Sequence, residues 1–417
     1  MKIKLIQIVS LILVISQMSF GQGGTVYSRY GIGDQIHSQS ARRLGFGDLG
    51  SAVVDMDYID GYNPAAWTNL KLTRFEISGR FIASNNTSQN SSAFYNKAMF
   101  SGLTLGFPVE RDLGISFALG LVPIASLEYN IEESLEDSSL IDPHKNIFEG
   151  SGSVSKIFIG ASTLLPLNFS LGAMLEYYTG TNNYASKQNF ESPSTFSDIY
   201  YETRYKYSGM GTTVSLITGN FFKYFDDETS LEFRLSGMAN FASDLYTDTS
   251  LVTGTSIGEL TPREGEVMSV IPTKYTFGAV FGWNNDFLIL FDYVFQPWSK
   301  YTFNNFYEQN FKDLTKFSIG FQYKPKITSM HASSWEQMSL RCGLSLEETQ
   351  YSFQGNNVDQ YSFHAGATFP FGTVNLIDVS IAVGMRGKNE NNLVKEEFIK
   401  AAFSLTLGEL WFRREER

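Results

Sequence analysis

The sequence predicts an all-β fold, a transmembrane antiparallel β-barrel of about 14 strands behind an N-terminal plug. Three observations predict it. Apolar and polar residues alternate over most of the chain. Aromatic residues and glycine are abundant, with 35 Phe, 22 Tyr, 5 Trp and 36 Gly in 417 residues. The mean hydropathy of −0.13 is too low for a bundle of membrane helices.

Charge and composition exclude several function classes. The formal net charge is −11, whereas a nucleic-acid partner requires a basic face, so we expect no nucleic acid to bind. The single cysteine, Cys342, cannot form an intramolecular disulfide, and only 4 His are present. Because cysteine and histidine are the usual ligands of zinc and iron centres, we expect no metal and no cofactor.

The first 21 residues have the pattern of a secretory signal peptide. A short basic start is followed by an apolar run from Leu5 to Ile15 and by small residues ahead of Gln22. We therefore expect residues 1–21 to be cleaved off before Gln22. The alternative is an uncleaved membrane anchor, but the run is short for a span and no basic stop follows it.

Residues 22–72 lack the periodicity of strands. Glycine-rich stretches at 28–34 and 44–50, and the run Asp-Gly-Tyr-Asn-Pro at 60–64, predict turns and close backbone contacts. The segment also contains several Tyr, Phe and Trp residues, in which a disordered tail would be poor. We expect a folded plug, called the hatch below, ahead of a barrel formed by residues 73–417.

The segment 316–323 illustrates the alternation from which the strands are predicted. The odd-numbered residues are apolar, namely Phe317, Ile319, Phe321 and Tyr323. The even-numbered residues are small or polar, namely Lys316, Ser318, Gly320 and Gln322. Successive side chains of a strand point to opposite faces, so one face is apolar. A secreted β-sandwich alternates too. The Gly, Ser and isolated charges of the minority face favour a wet lumen, and the signal peptide favours the membrane barrel.

Fourteen segments alternate in this way, an even number that suits a closed barrel with both termini on the periplasmic side. They lie near 74–83, 98–108, 113–123, 154–164, 167–178, 200–218, 231–241, 274–283, 287–296, 316–323, 338–346, 361–369, 377–386 and 398–407. The sixth changes parity around 209–211, where we expect a bulge. Long outside loops are expected near 124–153, 179–199, 242–273 and 297–315.

Short motifs resemble the FadL family of outer-membrane transporters. The triplet Asn63, Pro64 and Ala65 stands ahead of the first strand, and the runs 275–299 and 340–343 look like strand motifs of that family. The family is known as a barrel of about fourteen strands whose lumen is blocked by an N-terminal hatch. The resemblance would place the triplet in the hatch core. The alternative is that Asn-Pro simply starts a turn.

The resemblance implies passive uptake of hydrophobic small molecules, such as long-chain fatty acids, across the outer membrane of a Gram-negative cell. The implied partners are outer-membrane lipid and the hydrophobic small molecule itself. The end of the chain departs from the usual barrel pattern. Five residues, 413–417, follow Trp411 and Phe412, whereas outer-membrane barrels usually finish on an aromatic residue.

Uptake in this family implies a sideways exit into the bilayer. Such an exit requires a break in the hydrogen-bond ladder, which a proline or a bulge commonly causes. Pro123, near the end of the third segment, is the candidate for the lateral opening. The alternative is that Pro123 only begins the long loop at 124.

Five arginines have the parity of the lumen: Arg74, Arg80, Arg234, Arg341 and Arg386. A buried charge must be paired, so we expect most of them to form ion pairs that hold the hatch. Arg341 or Arg386 is also a candidate for a forked contact with a ligand carboxylate.

Two other function classes stay open. Ser362 and His364 share one face of a strand and could form a nucleophile and its base, but no orienting acid is evident, and we expect no enzyme. Family relatives also act as non-transporting subunits of envelope machines. The second hypothesis is therefore a barrel subunit of a secretion or barrel-assembly complex with protein partners. A transporter should have an apolar pocket that reaches the hatch, and a subunit should have a filled lumen.

Overall fold

A computed structural model describes residues 24–409 apart from 90, 136–143, 191–197, 227, 243, 256–257, 260–262, 285, 326–334, 373 and 392. The predicted signal peptide and the residues Trp411 and Phe412 lie outside the described residues. The described strands are β1 (Asp34–Gln35), β2 (Thr73–Thr87), β3 (Ser92–Glu110), β4 (Ile115–Leu135), β5 (His144–Leu165), β6 (Phe169–Phe190), β7 (Ile199–Ile217), β8 (Glu232–Ala242), β9 (Leu245–Thr255), β10 (Gly258–Glu259), β11 (Arg263–Val270), β12 (Lys274–Trp283), β13 (Phe287–Gln296), β14 (Thr302–Phe303), β15 (Phe306–Tyr307), β16 (Leu314–Tyr323), β17 (Ser339–Phe353), β18 (Asn356–Phe371), β19 (Asn375–Arg386) and β20 (Lys395–Glu409).

Fourteen of these strands form a closed antiparallel barrel, in the order β2 to β8, β12, β13 and β16 to β20. The cylinder closes where β20 pairs with β2, from Thr73 opposite Glu409 to Thr87 opposite Lys395. Each of the fourteen segments predicted from alternation overlaps one barrel strand. The predicted fold class is therefore confirmed.

The apolar side chains of the barrel point outward. On β16, Phe317 is 55% exposed and Ile319 is 41% exposed, whereas Lys316 and Ser318 are buried inside. This is the arrangement that a lipid-facing wall requires. No helix among the described residues is long and apolar enough to cross a membrane.

Several strands extend further than their alternation predicted. β4 continues to Leu135, β5 begins at His144, and β6 pairs with β5 as far as Phe190. The loops expected at 124–153 and 179–199 were therefore wrong. A strand of 22 residues such as β5 is about 70 Å long. The hydrocarbon core is only about 30 Å thick. Both faces of the projecting ends are free to be polar, so their periodicity is weak.

The bulge expected in β7 near 209–211 is absent. The register of β7 with β6 is unbroken across these residues. On its other edge, β7 pairs with β9 up to Ser208 and with β8 from Gly211 onward. The change of parity in the sequence therefore marks a change of partner strand.

The hatch, described here for residues 24–72, lies inside the barrel and is mostly irregular. It contains the one-turn helix α1 (Ala41–Gly45), whose Ser40 side chain accepts a hydrogen bond from the Arg43 amide, and 3₁₀ turns at Val26–Arg29 and Pro64–Asn69. Helix α1 packs against β18, β19 and β20, and the second turn packs against β5, β6 and β7. The hatch therefore contacts opposite parts of the wall.

Candidate functional site

Ion pairs join the hatch to lumen-facing arginines of the wall. The Arg80 Nη2 atom lies 3.5 Å from the Asp48 Oδ1 atom, and Arg386 Nη2 lies 3.0 Å from Asp34 Oδ2. Arg74 forms a pair with Asp57 and also donates to the Val374 carbonyl. Three of the five predicted arginines thus contact acids of the hatch.

The other two arginines have partners on the wall itself. Arg341 Nη1 lies 3.1 Å from Asp378 Oδ1, the oxygen to which the hatch residue Tyr58 donates at 3.2 Å. Arg234 pairs with Glu232 on its own strand, with 2.8 Å between Nε and Oε1. In this state the guanidinium groups of Arg341 and Arg386 both face protein carboxylates. A contact of either arginine with a ligand carboxylate stays a prediction.

The sequence did not single out a buried charge cluster at the centre of the lumen. Lys316 Nζ lies 3.3 Å from Asp48 Oδ2 and 3.2 Å from Glu347 Oε2, and the Glu347 Oε1 atom is 3.1 Å from His37 Nε2. All four side chains are buried. The parity of Lys316 placed it in the lumen, but no local signal indicated its partner, which is 268 residues away.

The two hatch residues of this cluster, Asp48 and His37, are not part of a spanning strand, and they differ in the balance of effects on their pKa values. Burial raises the pKa of the Asp48 carboxyl, but the attraction of Lys316 and Arg80 is stronger and holds that pKa well below its usual range. Burial lowers the pKa of His37, Lys316 lowers it further, and Glu347 compensates only in part. Asp48 is therefore charged and His37 neutral at neutral pH.

The Asn63-Pro64-Ala65 triplet lies at a tight contact between the hatch and the wall. Asn63 accepts a hydrogen bond from the Ala65 amide at 3.1 Å and donates to the Ser51 carbonyl at 2.6 Å. The triplet therefore does begin a turn, as the structural alternative held. It also packs so closely on β6 that a Cβ atom added to Gly172 would lie 2.3 Å from the Ala65 nitrogen.

The barrel wall contains an interrupted ladder between β3 and β4. The two strands pair only from Leu103 opposite Leu121 to Glu110 opposite Ile115, although both extend much further. Above this point β3 still pairs with β2, and β4 still pairs with β5. Tyr95 of β3 bridges the gap by donating to the Asn130 carbonyl at 2.8 Å. We call this interruption the lateral gap.

The hatch covers the lateral gap from inside. Strand β1 pairs antiparallel with β4, with Asp34 opposite Ser126 and Gln35 opposite Ala125. The Ile36 amide donates to the Ile124 carbonyl at 2.9 Å. The hatch thus pairs with a part of β4 that β3 does not pair with.

Pro123 lies at the lower end of the lateral gap, within β4. It does not begin a loop, because β4 continues from Ile115 to Leu135. The register of β4 with β5 shifts between Pro123 and Ala125, and the Pro123 carbonyl accepts a hydrogen bond from Tyr62 of the hatch at 2.8 Å. Its part in a lateral opening stays a prediction.

Between the hatch and the wall of the described structure lie two small cavities, each with a volume of about 30 Å³. Tyr62 and Lys274 line both of them. Cavities of this size hold a water molecule or two and no hydrophobic ligand. A much larger concavity, about 1430 Å³, lies on the outer wall among lipid-facing residues such as Phe277, Phe291 and Phe317.

The serine and histidine considered for hydrolysis are in contact. The Ser362 hydroxyl lies 3.0 Å from His364 Nε2, and Ser345 lies 2.7 Å from Ser362 and 3.0 Å from the same nitrogen. In the described part of the chain no carboxylate is hydrogen-bonded to the other nitrogen of His364, Nδ1. The three side chains are buried in the lumen, so they make a polar contact under α1 and not a triad. Among described residues, no three or more His, Cys, Asp or Glu are grouped to hold a metal.

A closed barrel of fourteen strands with an internal hatch is a FadL-type barrel fold, and solved structures agree. The Pseudomonas putida toluene transporter TodX is 16% identical with a TM-score of 0.60, over 91% of this chain and 100% of that chain. The Ralstonia pickettii toluene transporter TbuX is 13% identical with a TM-score of 0.60, over 89% and 99%. A Pseudomonas aeruginosa FadL homologue is 11% identical with a TM-score of 0.59, over 89% and 98%. The predicted resemblance to FadL is confirmed at the level of the fold.

The family model described as BamG matches residues 1–416. The chain therefore belongs to the BamG family. The comparison with curated protein sequences finds no match.

Proposed function

We propose that this protein is an outer-membrane barrel of a Gram-negative cell that takes up hydrophobic small molecules passively, through the plugged lumen and out sideways into the bilayer. The observation that supports it is the lateral gap. A barrel normally pairs every strand along its membrane-spanning length, because an unpaired backbone group in lipid is costly. Here β3 and β4 separate above Leu103 and Leu121.

The proposed route requires the hatch to move. The two cavities beside Tyr62 have room for water only, and β1 covers the lateral gap from inside. A hydrophobic molecule would enter from the outside, displace the strand β1 from β4, and leave between β3 and β4. The arginines that hold Asp48 and Asp57 would keep the rest of the hatch in place.

The substrate class is proposed from the solved relatives. TodX and TbuX are toluene transporters, and CymD is a monoaromatic hydrocarbon channel. Small hydrocarbons and long-chain fatty acids share the property that matters here, which is an apolar body that the bilayer accepts. We therefore propose hydrophobic compounds as the class. The lipid of the outer membrane would receive them.

A disulfide lock tests the route. In a Cys342→Ser background, the pair Gln35→Cys and Ala125→Cys would join β1 to β4 at directly opposite residues. The matched control pair, Ala173→Cys and Val214→Cys, joins opposite residues of β6 and β7, away from the gap.

Uptake of labelled toluene and of a labelled long-chain fatty acid would be measured in cells that carry each variant. We expect the oxidised lock to abolish uptake, a reductant to restore it, and the control pair to leave it unchanged. Uptake no greater than in cells without the protein would contradict the proposal, as would uptake that the lock does not change.

A second candidate function is favoured by one observation, the small size of the two cavities described between the hatch and the wall. Buried ion pairs and cavities of about 30 Å³ are what a non-transporting barrel subunit of a secretion or barrel-assembly complex would have. Purification in mild detergent followed by mass spectrometry separates the two functions. A stoichiometric protein partner without bound hydrophobic compound would support the subunit. A bound hydrophobic compound without such a partner would support uptake.

A further inference from the structure

The edge of β4 that faces the lateral gap has backbone groups that β3 does not pair. From Ala125 to Asn130, β4 pairs with β5 on one side, and on the other side it meets only the hatch and side chains of β3 such as Tyr95 among the described residues. A free strand edge is a template for another strand, and proteins cover such edges or use them to bind extended peptides. This edge, residues 124–130, is called the β4 edge below.

The hatch already binds the β4 edge as a peptide would. Asp34 and Gln35 pair with Ser126 and Ala125, and Ile36 donates its amide hydrogen to Ile124. The backbone geometry of the edge is therefore compatible with an added antiparallel strand.

Further along the edge, a side chain substitutes for a strand. The Ser28 hydroxyl accepts from the Glu128 amide at 3.1 Å, and its own proton is shared between the Thr25 carbonyl at 2.8 Å and the Glu128 carbonyl at 3.2 Å. One hydroxyl thus occupies the Glu128 amide and only partly satisfies the Glu128 carbonyl, the two backbone groups that a neighbouring strand residue would otherwise pair with. The hatch covers the edge with a two-residue strand and isolated contacts, which is a small interface compared with the long ladder between β4 and β5.

We propose that the β4 edge is a docking site for an extended strand of a partner polypeptide, and that β1 occupies this site until the partner displaces it. The proposal does not depend on uptake of small molecules. It rests on the antiparallel pairing of β1 with β4 and on the lack of backbone pairing between β3 and the same described edge.

The contacts of β1 define the chemistry of the partner strand. A Cβ atom on Gly33 would lie 2.7 Å from the Ser126 carbonyl oxygen, so the strand needs a glycine where it passes this point. The next residue, Asp34, meets Arg386 Nη2 at 3.0 Å, so an acidic residue is favoured there. An extended segment with glycine followed by an acidic residue therefore matches the site.

The probe for this site is a synthetic peptide with the sequence of residues 30–39, in which a benzophenone-bearing residue replaces Ile32. The full mature protein in lipid nanodiscs would be irradiated with the peptide, and the cross-links would be mapped by mass spectrometry. A peptide with lysine in place of the aspartate is the control. We expect cross-links to the β4 edge with the first peptide and none with the second.

Variants that weaken the binding of β1 to the β4 edge test the proposal. Because β1 belongs to the same chain, it competes with the peptide at a high effective concentration. Ile36→Pro removes the amide that bonds Ile124, and we expect capture to rise at least about tenfold. Asp34→Ala loses the contact with Arg386 and provides the same test if the proline variant does not fold.

The oxidised Gln35→Cys and Ala125→Cys lock should abolish capture, and a reductant should restore it. The Ala173→Cys and Val214→Cys pair should leave capture unchanged. Cross-links outside the β4 edge, cross-links to lipid alone, or capture that the lock does not reduce would each overturn the proposal. Loss of uptake with capture intact would overturn only the proposed function.

Discussion

The two sides of the hatch are held to the barrel wall by different kinds of interaction. Toward β16, β17 and β2, buried charges join it to the wall, with Asp48 placed between Lys316 and Arg80. Toward β4, a two-residue strand and neutral hydrogen bonds join it to the edge of the lateral gap, and the ion pair that β1 makes there, Asp34 with Arg386, is partly exposed at the aspartate. Breaking a buried ion pair leaves a charge without its partner, which costs several times more than losing one neutral hydrogen bond. The hatch is therefore anchored on one side and releasable on the other.

The largest effect is expected on the anchored side. Lys316→Met would leave Asp48 and Glu347 buried without their shared cation, and the hatch should lose about 3–5 kcal/mol of docking free energy. Hydrogen exchange of the hatch amides would measure this loss. Lys187→Met removes a half-exposed pair with Glu149 and is the matched control, with an expected loss below about 1 kcal/mol. Equal losses in the two variants would contradict the anchoring role of the charge cluster.

A smaller effect is expected where the triplet packs on β6. Gly172→Ala would place a Cβ atom 2.3 Å from the Ala65 nitrogen, and the strain should destabilise hatch docking by about 1–3 kcal/mol. The thermal unfolding temperature and exchange of residues 63–69 would report it. Gly237→Ala is the control, because no atom lies within 4 Å of its added Cβ. If both variants behave like the parent, the triplet is not closely packed against the wall.

On the releasable side, a single hydroxyl should matter moderately. Ser28→Ala would leave the Glu128 amide and carbonyl without their hatch partner, at a cost of about 1 kcal/mol. Exchange of the amides near β1 should become faster, while exchange near Asp48 should not change. Ser88→Ala, in the exposed turn between β2 and β3, is the control. Faster exchange throughout the hatch would show that the two sides are not independent.

The smallest expected effect is that of pH on the anchored side. His37 faces Glu347, Lys316 and Asp48, and its pKa in the docked hatch is lowered below the ordinary value of 6.5 by burial and by Lys316. The undocked hatch therefore takes up this proton at a higher pH than the docked hatch does. The stability that neutral His37 contributes is fully present above pH 6.5 and is lost as the pH falls from there toward the lowered pKa.

Hydrogen exchange at two pH values, corrected for intrinsic rates, would measure this dependence. We expect weaker protection of the hatch near pH 5.5 than near pH 7.5, and a flatter response in His37→Gln. Asp48 does not contribute in this window, because its own pKa lies well below its usual range. Protection that increases on acidification would show that the assigned direction for His37 is wrong.

The contrast between the two sides also explains what the sequence could predict. Lipid and lumen impose opposite demands on successive residues, so alternation located all fourteen barrel strands, such as β16 with Phe317 outside and Lys316 inside. It failed toward the long ends of strands, where β4 and β5 continue through residues expected to form a loop. It also misread β7, whose change of partner resembled a bulge.

For the site, parity identified the lumen arginines but not their partners. Arg80 pairs with Asp48 and Arg386 pairs with Asp34. Both acids lie in the hatch, where no regular alternation of residues locates them in the sequence. Pro123 could be singled out from the sequence because it is a proline near the end of a predicted strand. The register of β4 with β5 shifts directly after it. The covering of the β4 edge by β1 depends on long-range pairing that no short stretch of sequence encodes.

The most direct test of the anchored and releasable sides compares two amides of the same hatch. The Ile36 amide bonds the Ile124 carbonyl on β4, and the Asp48 amide bonds the Arg43 carbonyl beside the charge cluster. Residue-resolved hydrogen exchange in lipid nanodiscs should show Ile36 exchanging at least about ten times faster than Asp48. Equal rates, or slower exchange at Ile36, would contradict a hatch that opens at the lateral gap.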